Sequence, residues 1–278
     1  AVWSTPYVAS ETIRLIGRGE HDLAFTTPAQ MLRNAVDGVG LFAGERYPNL
    51  MSIGTFPQTD SLALAVDASL GLRDFDDIRK KKPKLHIATQ PNDGVGYIGY
   101  VVDKLLAEAA VPREKILEWG GSFVDRGPPD QCIQAMRDGV ANAVFYEAIM
   151  TPYWRNLARD RNLSFIRFDR EVLDSLQRKY QWHTNILPAG SLHGLTADLE
   201  CIDWSDWAGI VRPDFPEDVA YVLAWIATNT QEVIERQYRH MPPNVSPLTY
   251  PIVPQKVAQS PVPLHPGAAR YYREAGLI

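Results

Sequence analysis

Short apolar runs alternate along this chain with longer stretches whose apolar residues recur every three or four positions, the pattern of an α/β protein. Val8 to Arg18 reads as an amphipathic helix able to bury Val8, Ile13, Leu15 and Ile16, with Gly19 as its C-cap. Asp22 to Phe25 predicts a short strand. Thr26-Thr27-Pro28 then predicts the cap and first turn of a helix, because proline loses no hydrogen bond there. Strands follow at Met51–Thr55 and Leu62–Val66, and Arg73 to Ile78 predicts a short helix ahead of a basic turn, Arg79 to Lys84. Beyond it the pattern predicts a strand at Leu85–Thr89, a helix at Gly94–Ala109, a strand at Ile116–Trp119 and a helix at Asp130–Arg137. Ala141–Tyr146 is apolar almost throughout, as buried parallel strands are, and a helix at Pro152–Ala158 and a strand at Leu163–Phe168 follow it. Repeated βα units imply right-handed crossovers and a parallel sheet. Trp207–Arg212 predicts one more strand, and Pro216 opens a long helix to about Tyr238 with acids in its first turn. Eight prolines between Pro242 and Pro266 predict chain that wraps a surface, and a last helix runs from His265-Pro266-Gly267 to Gly276.

Composition narrows the class. With 278 residues, 45% of them hydrophobic and 22% charged, the chain can build one large α/β core or two lobes. Lys+Arg 28 against Asp+Glu 33 leaves a net charge of −5, so no polyanion-binding surface is expected. The basic run Arg79 to Lys84 carries no interleaved aromatic residue and reads as a solvated turn rather than a nucleic-acid patch. No apolar stretch is long enough to span a bilayer. Cys132 and Cys201 lie far apart without a CxxC or a Cys/His pairing, so neither a disulfide framework nor a zinc site is expected. The chain opens on Ala1 rather than Met, as a processed or trimmed chain would, and shows no basic-then-apolar signal segment.

The sharpest local motif is Gly94-Val95-Gly96-Tyr97-Ile98-Gly99, a G-x-G-x-x-G between a predicted strand and helix, with Glu118 where a ribose-binding acid would stand. Three features oppose a dinucleotide. Gln90-Pro91-Asn92-Asp93 separates strand from glycines, Asp93 would face a pyrophosphate, and Tyr97 is bulky where the helix must approach closely. Glycines at a helix start leave N–H groups for an anion or a carbonyl, or serve packing alone. No nucleophile elbow, H-E-x-x-H or regular His/Asp/Glu spacing is present.

Pro263-Leu264-His265-Pro266-Gly267-Ala268-Ala269-Arg270-Tyr271-Tyr272-Arg273-Glu274-Ala275-Gly276-Leu277 resembles the ending of the TAXI family, the extracytoplasmic solute receptors of TRAP transporters. Further stretches resemble it in order: Glu11 to Phe25, Leu72 to Ala88, Gly94 to Tyr97, Lys179-Tyr180 with Ile186 to Gly190, and Arg212 to Tyr221. The chain departs from the family in three places. The family's opening Gly-rich strand, turn and helix have no counterpart before Ala1, Val95 and Tyr97 stand where the family has serine and threonine, and Glu147-Ala148-Ile149-Met150 replaces a glycine-rich run. The resemblance implies an α/β fold of the type II periplasmic-binding-protein kind, two α/β lobes with a hinge that close over a solute in an interlobe cleft. It implies lobe one from residues 1–84 and 205–278, lobe two from 85–204, and hinges near Ala65 and Gly209. It further implies a periplasmic or extracytoplasmic location, membrane transporter subunits as partners, a monomer, and no cofactor or metal.

Ligands of open α/β sheets sit beyond the carboxyl ends of strands. That rule selects Thr26, Thr27 and Gln30, and then Gln90, Asn92, Asp93, Gly94, Tyr97, Tyr146 and Glu147. Glu147, at the end of a buried strand, needs a partner: a ligand amine, a metal, or an arginine such as Arg126 or Arg155. Tyr7, Ser10, Trp182 and His183 are secondary candidates, and His265 reads as the start of the last helix. The leading function is a non-catalytic receptor for a small polar solute of the organic-acid or amino-acid class. The competing reading is an enzyme on the same scaffold, such as a decarboxylase of a small hydroxylated aromatic acid with His183 and Glu147 as acid and base. A dinucleotide-dependent oxidoreductase is a third.

Overall fold

The computed structural model describes residues 9–243, 246 and 248–278. Tyr7 and Val8, named above, and Pro247 of the proline-rich stretch lie outside the described residues. The chain forms two compact units, residues 1–59 with 204–278 and residues 60–203.

Unit one is built on a three-stranded antiparallel sheet. β1 (Leu23–Thr26) and β2 (Met51–Phe56) flank β10 (Trp207–Val211), with Phe25 opposite Gly209 and Trp207 opposite Phe56. α1 (Ala9–Gly17) packs along β1 and β10, and α2 (Met31–Asp37) follows β1. Pro28 does not open that helix: the first helical residue is Met31, and the Thr27–Pro28 peptide is cis. α9 (Glu217–Asn229) and α12 (Pro266–Glu274) cover the sheet, burying Ile53, Val211, Ala220, Ala224, Ala268 and Tyr272 together. The long helix expected to Tyr238 is interrupted at Thr230, after which α10 (Gln231–Arg236) begins. Among its described residues the proline-rich stretch includes the helical turn α11 (Pro254–Val257), and Glu235 accepts the N–H of Ile252 at 2.7 Å to tether it.

Unit two holds a mixed sheet. Its strands are β3 (Ser61–Asp67), β4 (His86–Thr89), β5 (Ser122–Asp125), β6 (Ala143–Tyr146), β7 (Leu163–Phe165), β8 (Thr184–Leu187) and β9 (Leu199–Asp203), in the order β5-β4-β6-β3-β9-β8 with β7 beside β3. Only β5, β4 and β6 run parallel; β3 pairs antiparallel with β6, β7 and β9. The all-parallel expectation therefore holds for one block of one unit. The expected strand at Ile116–Trp119 is instead helix α5 (Arg113–Glu118), so Glu118 ends a helix and the strand is β5. α3 (Phe75–Lys81) absorbs half of the basic run as its last turn, where cations suit the helix dipole. α4 (Tyr97–Glu108), α6 (Pro129–Arg137), α7 (Pro152–Asp160) and α8 (Arg170–Tyr180) complete the unit.

The units divide at Thr59/Asp60 and Asp203/Trp204. The expected first boundary, after residue 84, is corrected because β3 is the central strand of unit two, pairing Ala65 with both Val144 and Phe165. Ala65 and Gly209 each lie inside a paired strand of their own unit.

Candidate functional site

β4 and β6 are parallel neighbours, so the loops that leave them, 90–96 and 147–151, emerge side by side at one edge of unit two. β3 runs the other way and begins at that edge, which brings Asp60 beside the end of β6. Asp60 is 4% exposed. Its Oδ1 accepts the N–H groups of Ser61 at 2.8 Å and Ile149 at 2.9 Å, and its Oδ2 accepts that of Ala148 at 3.0 Å. A hydrogen bond to the Glu147 carboxyl completes the set. Burial raises the Asp60 carboxyl to about 6. Burial first, and the adjacent Asp60 charge second, push Glu147 well above the carboxylate range. Two carboxyls in contact must share a proton, and Asp60 already receives three N–H donors, so the proton resides on Glu147. Within the chain Glu147 thus meets another acid; Arg155 donates to the Met150 carbonyl at 2.8 Å and Arg126 to that of Asp125 at 2.9 Å.

The network extends behind the pair. Asn185 donates to the Asp60 carbonyl at 2.7 Å and to Asp203 at 3.0 Å, and its side-chain oxygen accepts from the Ser61 hydroxyl at 2.8 Å. Asp60 and Asn185 escape a reading by local pattern. The only signal for Asp60 is an acid two residues ahead of the fully apolar run Leu62–Val66.

The other unit-two candidates take internal partners. Gln90 accepts the Ile98 N–H at 3.2 Å, and Asn92 donates to Asp103 at 2.9 Å. Asp93 accepts the N–H groups of Val95 at 3.0 Å and Gly96 at 2.8 Å, which together with burial balance to hold its carboxyl below the usual range. A Cβ on Gly96 or Gly99 would lie 2.3 Å from the Pro91 carbonyl oxygen, so these glycines permit the loop and α4 to touch; Gly94 has φ +83° and open space around it. The G-x-G-x-x-G is a packing device. Tyr97 is buried, accepts a hydrogen bond from the Trp182 indole and meets that ring edge-on at 6.3 Å, and Trp182 stacks on Tyr180 at 4.5 Å. Tyr146 is buried and donates to the Gly127 carbonyl at 2.5 Å, while His183 is exposed. Asn92, Asp93 and Gly94 are exposed at the same edge, and Glu147 keeps part of its surface open.

In unit one, Thr26 donates to the Ala9 carbonyl at 3.2 Å and Thr27 to that of Trp204 at 3.4 Å. Gln30 is half-buried at the start of α2. Ser10 is buried and accepts from Arg14 at 3.3 Å; Arg14 itself pairs with Glu45 at 2.6 Å. His265 is fully buried, caps α12 through Nδ1, which accepts the Gly267 N–H at 3.3 Å, and meets Phe215 edge-on. Both cysteines are free and buried, and burial raises the Cys132 thiol to about 12. A surface cleft of about 560 Å³, lined by Arg73, Ser164, Arg167 and Asp198 among others, lies at the opposite edge of the unit-two sheet, past the end of β3, and contains none of the expected site residues.

The model of the NMT1-like family matches residues 7–276. Among solved structures, malate-bound MatC from Rhodopseudomonas palustris is similar at TM-score 0.52 and 12% identity, over 96% of this chain and 83% of that one. The alkanesulfonate-binding protein SsuA from Xanthomonas axonopodis pv. citri, bound to MOPS, gives TM-score 0.45 and 13% identity over 85% of this chain. This chain spans 64% of the length of that SsuA. A TctC solute binding protein from Polaromonas gives 0.43 and 12%, over 91% and 78%. The likeness to MatC shows the fold, an α/β architecture.

Proposed function

This chain belongs to the NMT1-like family, and on that premise we propose that it is an extracytoplasmic receptor that binds a small polar solute without transforming it. The observation that carries the reading is the edge of unit two where β4 and β6 end side by side, the position at which open α/β sheets hold ligands. Glu147 and the exposed turn Asn92-Asp93-Gly94 are the proposed contacts there.

The chemistry of that edge favours a solute bearing an amino group, within the amino-acid class. Backbone N–H groups that would receive an anion are already taken: those of Ala148 and Ile149 by Asp60, those of Val95 and Gly96 by Asp93. What remains facing outward includes the exposed Asp93 carboxylate, which attracts a cationic or donor group. The resemblance of Pro263–Leu277 and the earlier stretches to TAXI receptors supports delivery to a TRAP-type membrane transporter by a monomeric receptor.

A thermal-shift panel of amino acids, diamines and dicarboxylates tests the reading. A specific ligand at a hundred times its Kd stabilises the folded state by about 2.7 kcal/mol, and the amino-bearing members are expected to raise the melting temperature. A panel in which no small solute shifts the transition overturns it.

A further inference from the structure

We infer that Asp60 and Glu147 form a one-proton latch that fastens the loop between β6 and α7 to the start of β3 and frees that loop when the proton leaves. The inference concerns the protein without any solute, so its failure leaves the proposed receptor function standing.

The geometry supplies both halves of a latch. The pairing of Ala63 with Tyr146 sets residues 60–62 alongside 147–149, and the loop is fastened there by the N–H groups of Ala148 and Ile149 on the Asp60 carboxylate. Ala148 has φ +62°, in the left-handed region that a residue with a Cβ adopts only when its surroundings hold it. The Glu147–Asp60 hydrogen bond requires a proton between the two groups, and removing it sets two charged carboxylates against each other beside the buried Asp60.

From β9, Cys201 and Asp203 approach: the Cys201 thiol is raised by burial and in smaller part by the Glu200 and Asp60 charges, and Asn185 links Asp203 to the Asp60 carbonyl. From α7, the Arg155 guanidinium donates to the Met150 carbonyl on the same loop. Burial and the neighbouring acid raise the Glu147 carboxyl well above the ordinary carboxylate range.

Amide hydrogen exchange of the full chain between pH 5 and 9, expressed as protection factors, reads the latch directly. Protection at Ala148 and Ile149 is expected to be flat above the Asp60 titration while Glu147 keeps its proton, and to fall by about tenfold per pH unit once Glu147 loses it. Glu147→Gln keeps a donor toward Asp60 without a titrating proton, and its protection is expected to stay flat. An infrared band of a protonated carboxyl, present in the unmodified protein while the loop is protected and absent in E147Q, is the independent readout. Protection unchanged across the range in the unmodified protein, an E147Q profile that falls like it, or no protonated-carboxyl band overturns the latch.

Discussion

The carboxyl of Glu147 hydrogen-bonds the carboxylate of Asp60, joining the end of β6 to the start of β3 through two acids far apart in the chain. Isolated acids in such a place would repel; here one is neutral and the other is saturated with donors. The same arrangement fills the backbone N–H groups of the β6–α7 loop with an internal anion.

Replacing Asp60 tests how much that arrangement stabilises. Asp60→Ala leaves the buried N–H groups of Ser61, Ala148 and Ile149 without their acceptor, and each such loss costs about 1–3 kcal/mol. We expect destabilisation of about 3 kcal/mol or more in chemical denaturation, with Asp60→Asn affected less because it keeps one acceptor oxygen. Equal stability of D60A and the unmodified protein would refute the assignment.

Stability also carries a pH signature with opposite signs at two acids. The raised Glu147 carboxyl contributes stability that is complete below its unfolded-state range and is lost as pH rises through its folded-state value. Asp93 is lowered, so its contribution is present above the unfolded carboxylate range near 4 and is lost as pH falls through its folded value. Subtracting the denaturation profile of Asp93→Ala from that of the unmodified protein should give about 1 kcal/mol above pH 5 and less in stronger acid.

His265→Ala should lower the melting temperature before it touches solute binding. The change removes the α12 cap, about 1 kcal/mol, and opens a buried space beside Phe215. An unaltered melting temperature with binding lost would assign His265 to the solute instead.

Gly267→Ala should be among the most damaging single-methyl changes. Its Cβ would stand 2.0 Å from the Glu217 carbonyl oxygen, where backbone must move to admit it. We expect a loss of about 3 kcal/mol, or failure to accumulate folded protein, whereas Gly139→Ala meets no neighbouring atom and suffers only the strain of its φ of +72°.

Where an element is long or strictly apolar, its place was legible from the residues alone: α1, β3, β6 and α12 fall where the pattern puts them. Short apolar runs were not. Ile116-Leu117-Glu118-Trp119 has the composition of a strand but follows Pro112, which serves as N-cap of α5, and the true strand, Ser122–Asp125, buries too little to announce itself. Helix α8 and strands β8 and β9 escaped the pattern as well, since their apolar residues are sparse. At the site, Glu147 was found because a carboxylate ending a buried strand demands a partner. Asp60 was not, because only the antiparallel pairing of β3 with β6 reveals what that partner is.

Native mass spectrometry of gently purified protein tests the central claim most directly, since a tight receptor retains its solute through purification. We expect a species heavier than 31.2 kDa by the mass of one small amino-bearing molecule, lost on denaturation and restored by adding that molecule back. A protein that stays at its bare mass when purified and when offered the full solute panel would contradict the receptor account.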